Sequence, residues 1–218
     1  TSAQQRFRRA IELNPDWAQG HLMYALMYLI PTGQPREALG EVLRAHELDP
    51  LTRTTRSILT EVQYFNREYP RVISESMELS KSAPRRGPGE RAYLLSLSLS
   101  GQGRRALAEM SASETKIPDQ SPAIGVYGYL LAKHGDSGQA RAILNRLRQQ
   151  PARSYASPLS LAMISLGLGD TDETFRQLQA CVAKRQPAVV MVAADPVFDP
   201  LRQDARYRQL LRQMGLSR

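Results

Sequence analysis

Five residues stand at one fixed spacing along this chain: Ala38, Val72, Ala106, Ala140 and Thr174 follow one another at intervals of 34. Other phases keep the same step. Five residues before each member lie Gly33, Arg67, Gly101, Gly135 and Gly169, and four residues after come Val42, Ser76, Met110, Leu144 and Leu178. Leu59, Tyr93, Tyr127 and Leu161 form a further rung, joined by Tyr24 if one residue is inserted near Pro31. Pro15 precedes Pro50 by 35, which accounts for the same insertion, and Pro84, Pro118 and Pro151 continue the series. A repeat of this length describes units that cannot bury their apolar faces alone and must stack on their neighbours.

Each phase has a physical role in a pair of helices. Glycine ends the first helix by taking the left-handed conformation without a Cβ penalty. A small residue then opens the second helix so that two backbones approach closely, and the residue four further on continues the buried stripe. Proline stops the second helix because it lacks an amide hydrogen and clashes with the preceding turn. The reading predicts helices over 1–13, 17–31, 35–48, 52–67, 70–82, 89–100, 104–115, 121–134, 137–149, 157–167, 171–185 and 203–214. The run from Val189 to Val192 reads as a short helix or an extended packing segment.

The segments AIELNP (10–15), GQPREAL (33–39), AHELDP (45–50) and GDSGQA (135–140) resemble the tetratricopeptide repeat. The resemblance implies an all-α fold, a right-handed superhelical solenoid of antiparallel helix pairs with a C-terminal capping helix. Residues 1–15 would be the second helix of a truncated repeat. Five full repeats would then occupy 16–50, 51–84, 85–118, 119–152 and 153–186, with 187–218 as the capping segment. The pattern departs from the family where a tryptophan is usual, since His21, Arg56, Glu90, Ile124 and Pro158 stand there, and in the second repeat at Thr60 and Gln63.

The ending DPVFDPLRQDARYRQLLRQMGL (195–216) places Asp204 to cap a helix whose apolar residues Tyr207, Leu210, Leu211 and Met214 share one face. Gly215 can end it. The stretch is similar to one closing tetratricopeptide arrays in bacterial multidomain signalling proteins, including CadC-like winged-helix transcription regulators, class III adenylyl cyclases and Ser/Thr kinases. Ala205 replaces that pattern's proline and Tyr207 its phenylalanine. The similarity implies the C-terminal part of a longer signalling or transcription-regulatory protein, as does a start that reads unlike a signal peptide.

Little in the sequence points to chemistry. No apolar run reaches the length a membrane-spanning helix needs, so no membrane segment is expected in this fragment. Cys181, the single cysteine, stands in a small core slot and cannot form an internal disulfide. His21, His46 and His134 share no metal-ligand spacing and read as surface or interhelix residues; no metal and no cofactor is expected. Asp170 and Asp172 suit a helix start. There is no nucleophile elbow and no phosphate-binding glycine loop, so the expectation is that the chain is not an enzyme. The net charge of +8 invites nucleic acid, but only Lys81, Lys116, Lys133 and Lys184 among the 29 basic residues are lysines, and the arginines are scattered. A nucleic-acid footprint should cluster, which argues against it.

The family geometry implies a concave groove lined by Leu22, Leu26, Glu61, Tyr64, Arg91, Tyr129, Lys133 and Met163. The expected function is a non-catalytic interaction or regulatory module holding a protein or peptide there, with self-association as a further possibility. The alternative is a sensory domain binding a small molecule or cell-wall fragment to control an upstream effector domain. A cytoplasmic location is expected, or a periplasmic one if a membrane helix precedes the fragment.

Overall fold

The computed structural model describes residues 2–81, 88–112, 117–150 and 157–216. The expected repeat-closing residues Pro84 and Pro151 lie outside them. Among the described residues twelve α-helices follow in order: α1 (Ala3–Leu13), α2 (Ala18–Tyr24), α3 (Pro35–Leu48), α4 (Arg53–Phe65), α5 (Tyr69–Ser80), α6 (Pro88–Leu99), α7 (Gly103–Ala112), α8 (Ala123–His134), α9 (Ser137–Arg148), α10 (Pro158–Gly167), α11 (Thr171–Ala183) and α12 (Ala205–Gln213). Among the described residues there is no strand. These spans match the expected helices to within a few residues.

Local chemistry accounts for the boundaries. Ser2 and Gln5 form a capping box at the start of α1. Asp136, Ser157, Asp170 and Asp204 each accept an amide hydrogen bond at the first turn of α9, α10, α11 and α12. Proline sits in the first turn of α3, α5 and α10, where its missing N–H costs nothing.

The 34-residue register is also a register of burial. Ala38, Val72, Ala106, Ala140 and Thr174 are all 0 % exposed, and Val42, Ser76, Met110, Leu144 and Leu178 are buried with them. The closing turns repeat as well. Gln34, Glu68, Gln102 and Asp170 donate their amides to the carbonyls of Leu29, Gln63, Leu97 and Ser165, at 2.8, 3.0, 2.8 and 3.0 Å. This six-residue closure requires a left-handed residue just before the donor. Gly33, Arg67, Gly101 and Gly169 supply it, with φ of 72°, 63°, 83° and 77°.

Gly135 departs from the expectation. Its φ is −133°, and no six-residue closure forms there. Its lack of a side chain serves packing instead, because a Cβ would stand 2.5 Å from Leu107 Cδ2. The inserted residue of the first repeat is absorbed one turn earlier than the arithmetic suggested. After Tyr24 the helix widens into a π-turn over Ala25–Leu29, where the Ile30 amide donates to the Ala25 carbonyl at 2.9 Å. Tyr24 and Tyr93 are core residues as expected, whereas Tyr127 is half-buried.

The contacts divide the chain into two units. The first is Thr1–Ser96 with Met191–Pro196, and the second is Leu97–Val190 with Val197–Arg218. In the first, α1 packs on α2, α2 on α3, α3 on α4 and α4 on α5. In the second, α8 packs on α7, α9 and α10, and α11 on α10 and α12. The α8–α10 approach is close: a Cβ on Gly128 would meet Ile164 at 2.5 Å, and one on Gly125 would meet the Ser160 backbone at 2.7 Å. Between α11 and α12 the ambiguous apolar run folds as a 3-10 segment, Pro187–Ala193, followed by a second, Pro196–Leu201. In α12, Tyr207 and Leu210 are buried, and Gly215 closes the helix at φ 70°.

Candidate functional site

Three of the eight expected groove residues meet at one point of the first unit. Glu61 and Tyr64 lie one turn apart on α4, and Arg91 comes from α6. Tyr64 and Arg91 both bond Asp195, which lies just after the first 3-10 segment. The Tyr64 hydroxyl donates to Asp195 Oδ1 at 2.5 Å, and Arg91 Nη2 donates to Asp195 Oδ2. The guanidinium also lies 5.5 Å from the Tyr64 ring centroid. Tyr64 and Asp195 are buried and Arg91 is mostly covered.

The electrostatics follow from that burial. Burial pushes the Tyr64 hydroxyl well above its ordinary range, and the Asp195 carboxylate adds to the shift, so it remains a hydrogen-bond donor. Burial pulls against the charge on Arg91, but Asp195, Tyr64 and Glu61 outweigh it and hold the guanidinium protonated. Burial also pushes the Glu61 carboxyl up; Arg91 opposes the shift and Asp195 reinforces it. The cluster therefore holds one strongly gripped carboxylate and a second that burial shifts towards its neutral form.

The other five expected groove residues are divided between the two units. Leu22 on α2 is buried and Leu26, in the π-turn, is half-buried. In the second unit Tyr129 and Met163 are buried, and Lys133 is exposed near the end of α8. Leu22, Tyr64, Tyr129 and Met163 thus carry core contacts where a solvent-facing lining was expected.

Several groups outside the expected groove are also placed by the fold. His21 is buried between α2 and α3, with Nδ1 2.6 Å from Glu41 Oε2 and Nε2 3.0 Å from the Pro15 carbonyl. His134 Nε2 lies 2.7 Å from Ser98 Oγ; burial, with Lys133 adding, pulls its imidazole below the ordinary range. Among the described residues this pair lacks the carboxylate that orients a catalytic histidine. Glu173 is buried in the second unit, where Arg148 reaches it at 2.5 Å and Arg176 and Gln177 also bond it. Cys181 is buried, and that burial pushes its thiol up to about 12, which keeps it an unreactive packing group. A cleft of about 420 Å³ opens in the first unit between Arg8, Glu12, Tyr24, Leu29, Glu37 and Glu41. Among the described residues no cluster of metal-ligating side chains forms, and no helix is long and apolar enough to cross a membrane.

No family model matches the chain, and no curated protein matches it. A search of solved structures finds a chain of the Naa15/Naa10 complex bound to HypK-THB, 17% identical. The match covers 95% of this chain and has a TM-score of 0.37. It spans only 35% of that solved chain, about a third of its length.

Proposed function

We propose that this chain is a non-catalytic protein-interaction module of the tetratricopeptide type, with repeats at 16–50, 51–84, 85–118, 119–152 and 153–186 and a capping segment beyond. The observation that carries the reading is the coincidence of three registers at one 34-residue step: sequence, complete burial and, at four of the five positions, left-handed closing turns. Stacked helix pairs of this kind present repeated side-chain positions along one surface, a geometry suited to an extended or helical peptide. Further support comes from the polar groups, most of which are engaged in caps and ion pairs rather than converging as an acid, a base and a nucleophile. The similarity of residues 195–216 to the ends of bacterial signalling arrays supports a regulatory setting, with the module acting on an effector domain elsewhere in a longer protein.

The test is affinity capture with the whole chain, wild type beside Arg91→Glu, followed by light scattering of the purified protein. Capture of a protein by wild type and its loss on charge reversal supports the reading. A monomer that captures nothing, in either form, overturns it. The cleft beside Arg8 and Tyr24 favours a second reading, a small-molecule sensor. Thermal-shift screening against pooled metabolites decides that one: a rise in melting temperature that depends on Arg8 and Tyr24 supports it.

A further inference from the structure

We propose that Asp195 is an internal ligand: the segment Met191–Pro196 occupies the α4–α6 face bearing Tyr64 and Arg91, and an acidic partner peptide engages that face only by displacing it. The inference rests on the interaction-module reading, because it names the chemistry of the partner and the element that competes with it.

The grip on Asp195 is specific for a carboxylate. Its two oxygens are taken by two different donors on two helices, a tyrosine hydroxyl and a guanidinium that itself lies over the tyrosine ring. A neutral side chain would leave the mostly covered Arg91 charge with Glu61 alone to balance it, and a cation would be repelled. The segment that delivers Asp195 is short. The amides of Ala194 and Asp195 both donate to the Met191 carbonyl at 3.0 Å, which turns the carboxylate inward, and Val192 and Ala194 are buried beside it. By its contacts the segment belongs to the first unit, together with α4 and most of α6.

Glu61, one turn before Tyr64 on α4, shares its face. Burial and the Asp195 charge disfavour its ionised form, while Arg91 favours it. Docking Asp195 therefore carries a repulsive component as well as an attractive one. A competing carboxylate would restore the pairing of Arg91 and Tyr64, so exchange need not leave a buried charge unmatched. Removal without replacement would.

The experiment uses a fluorescent peptide of residues 187–201 added to the whole chain, read by anisotropy. Wild type, with its own segment docked, should bind it weakly. Asp195→Lys, which sets a second cation beside Arg91, should bind it about ten-fold more tightly or better. A peptide with asparagine in place of Asp195 should lose that gain. Equal affinity for wild type and Asp195→Lys, or no binding to a helical Asp195→Lys chain, overturns the proposal. Should circular dichroism show that the lysine variant is not folded, Asp195→Asn and hydrogen exchange decide: the Ala194 and Asp195 amides should exchange about ten-fold faster than in wild type. Unchanged exchange overturns it equally. Peptide binding to the opened chain without capture of any protein would reject the interaction-module reading while leaving the internal ligand standing.

Discussion

Arg67 and Gly101 occupy equivalent turns and reach the same backbone conformation, at φ 63° and 83°. Left-handed backbone costs a residue with a Cβ about 1 kcal/mol or more, while glycine adopts it freely. A Cβ on Gly101 meets nothing within 4 Å, so the whole effect of adding one is conformational. Gly101→Ala is expected to lower stability by about 1 kcal/mol, measured by urea denaturation. Arg67→Gly should move it the other way by at most about 1 kcal/mol, since relief of strain is offset by a more flexible unfolded chain. Glu61 supplies a second test. Its proton is held more tightly in the folded chain than in the unfolded one, so its contribution is present at low pH and is lost as pH rises past about 4.3 towards the raised folded value. Glu61→Gln should raise the melting temperature at pH 7, and the gain should shrink to nothing below pH ~4. At this scale the glycine phases were readable in the sequence. Gly135 departs from them, and nothing local announces that Leu107 needs its space.

The helices as elements follow directly from short-range signals. Serine or aspartate caps, first-turn prolines and apolar residues at helical spacing all act within a few positions, which is why the expected spans and the observed ones agree. The extra residue of the first repeat was equally legible, since Pro15 and Pro50 lie 35 apart. Its form was not. An insertion can be taken up by a longer loop or by one wide helical turn, and packing on both sides of α2 selected the π-turn at Ala25–Leu29. Deleting Met27, an exposed residue of that turn, should restore an ordinary α-helix and keep the orientation of both flanks. The expected result is a variant with a cooperative melt near that of wild type. Deleting Leu95, buried in α6, should abolish cooperative melting, because every side chain on one side of it is rotated by about 100°. Calorimetry of the two deletions checks the difference.

For the whole molecule the basic balance of +8 is spread rather than focused. Many arginines are already committed: Arg44 to Asp16 and Glu47, Arg71 to Glu75, Arg146 to Asp119, Arg148 and Arg176 to Glu173, and Arg206 to Asp172 and Asp204. Binding of a single-stranded oligonucleotide is therefore expected to be weak, indifferent to sequence and lost by about 150 mM salt. Fluorescence anisotropy across a salt series measures it, and retention at that salt would reinstate nucleic acid as a partner.

What the sequence determined by itself is the periodic part of this protein. The 34-residue step, the closing glycines, the capped helix starts and the apolar stripes each depend on neighbours within a turn or two, and such interactions can be read one segment at a time. What only the tertiary structure decided is where the non-periodic residues go. Tyr64 and Asp195 are 131 positions apart, and no cap, turn or hydrophobic period records that they will pair. Asp195 was visible only as the start of an ending that resembles those of other arrays. Its partnership with Arg91 arises because a buried charge must find a counter-charge, and the fold alone determines which one lies within reach.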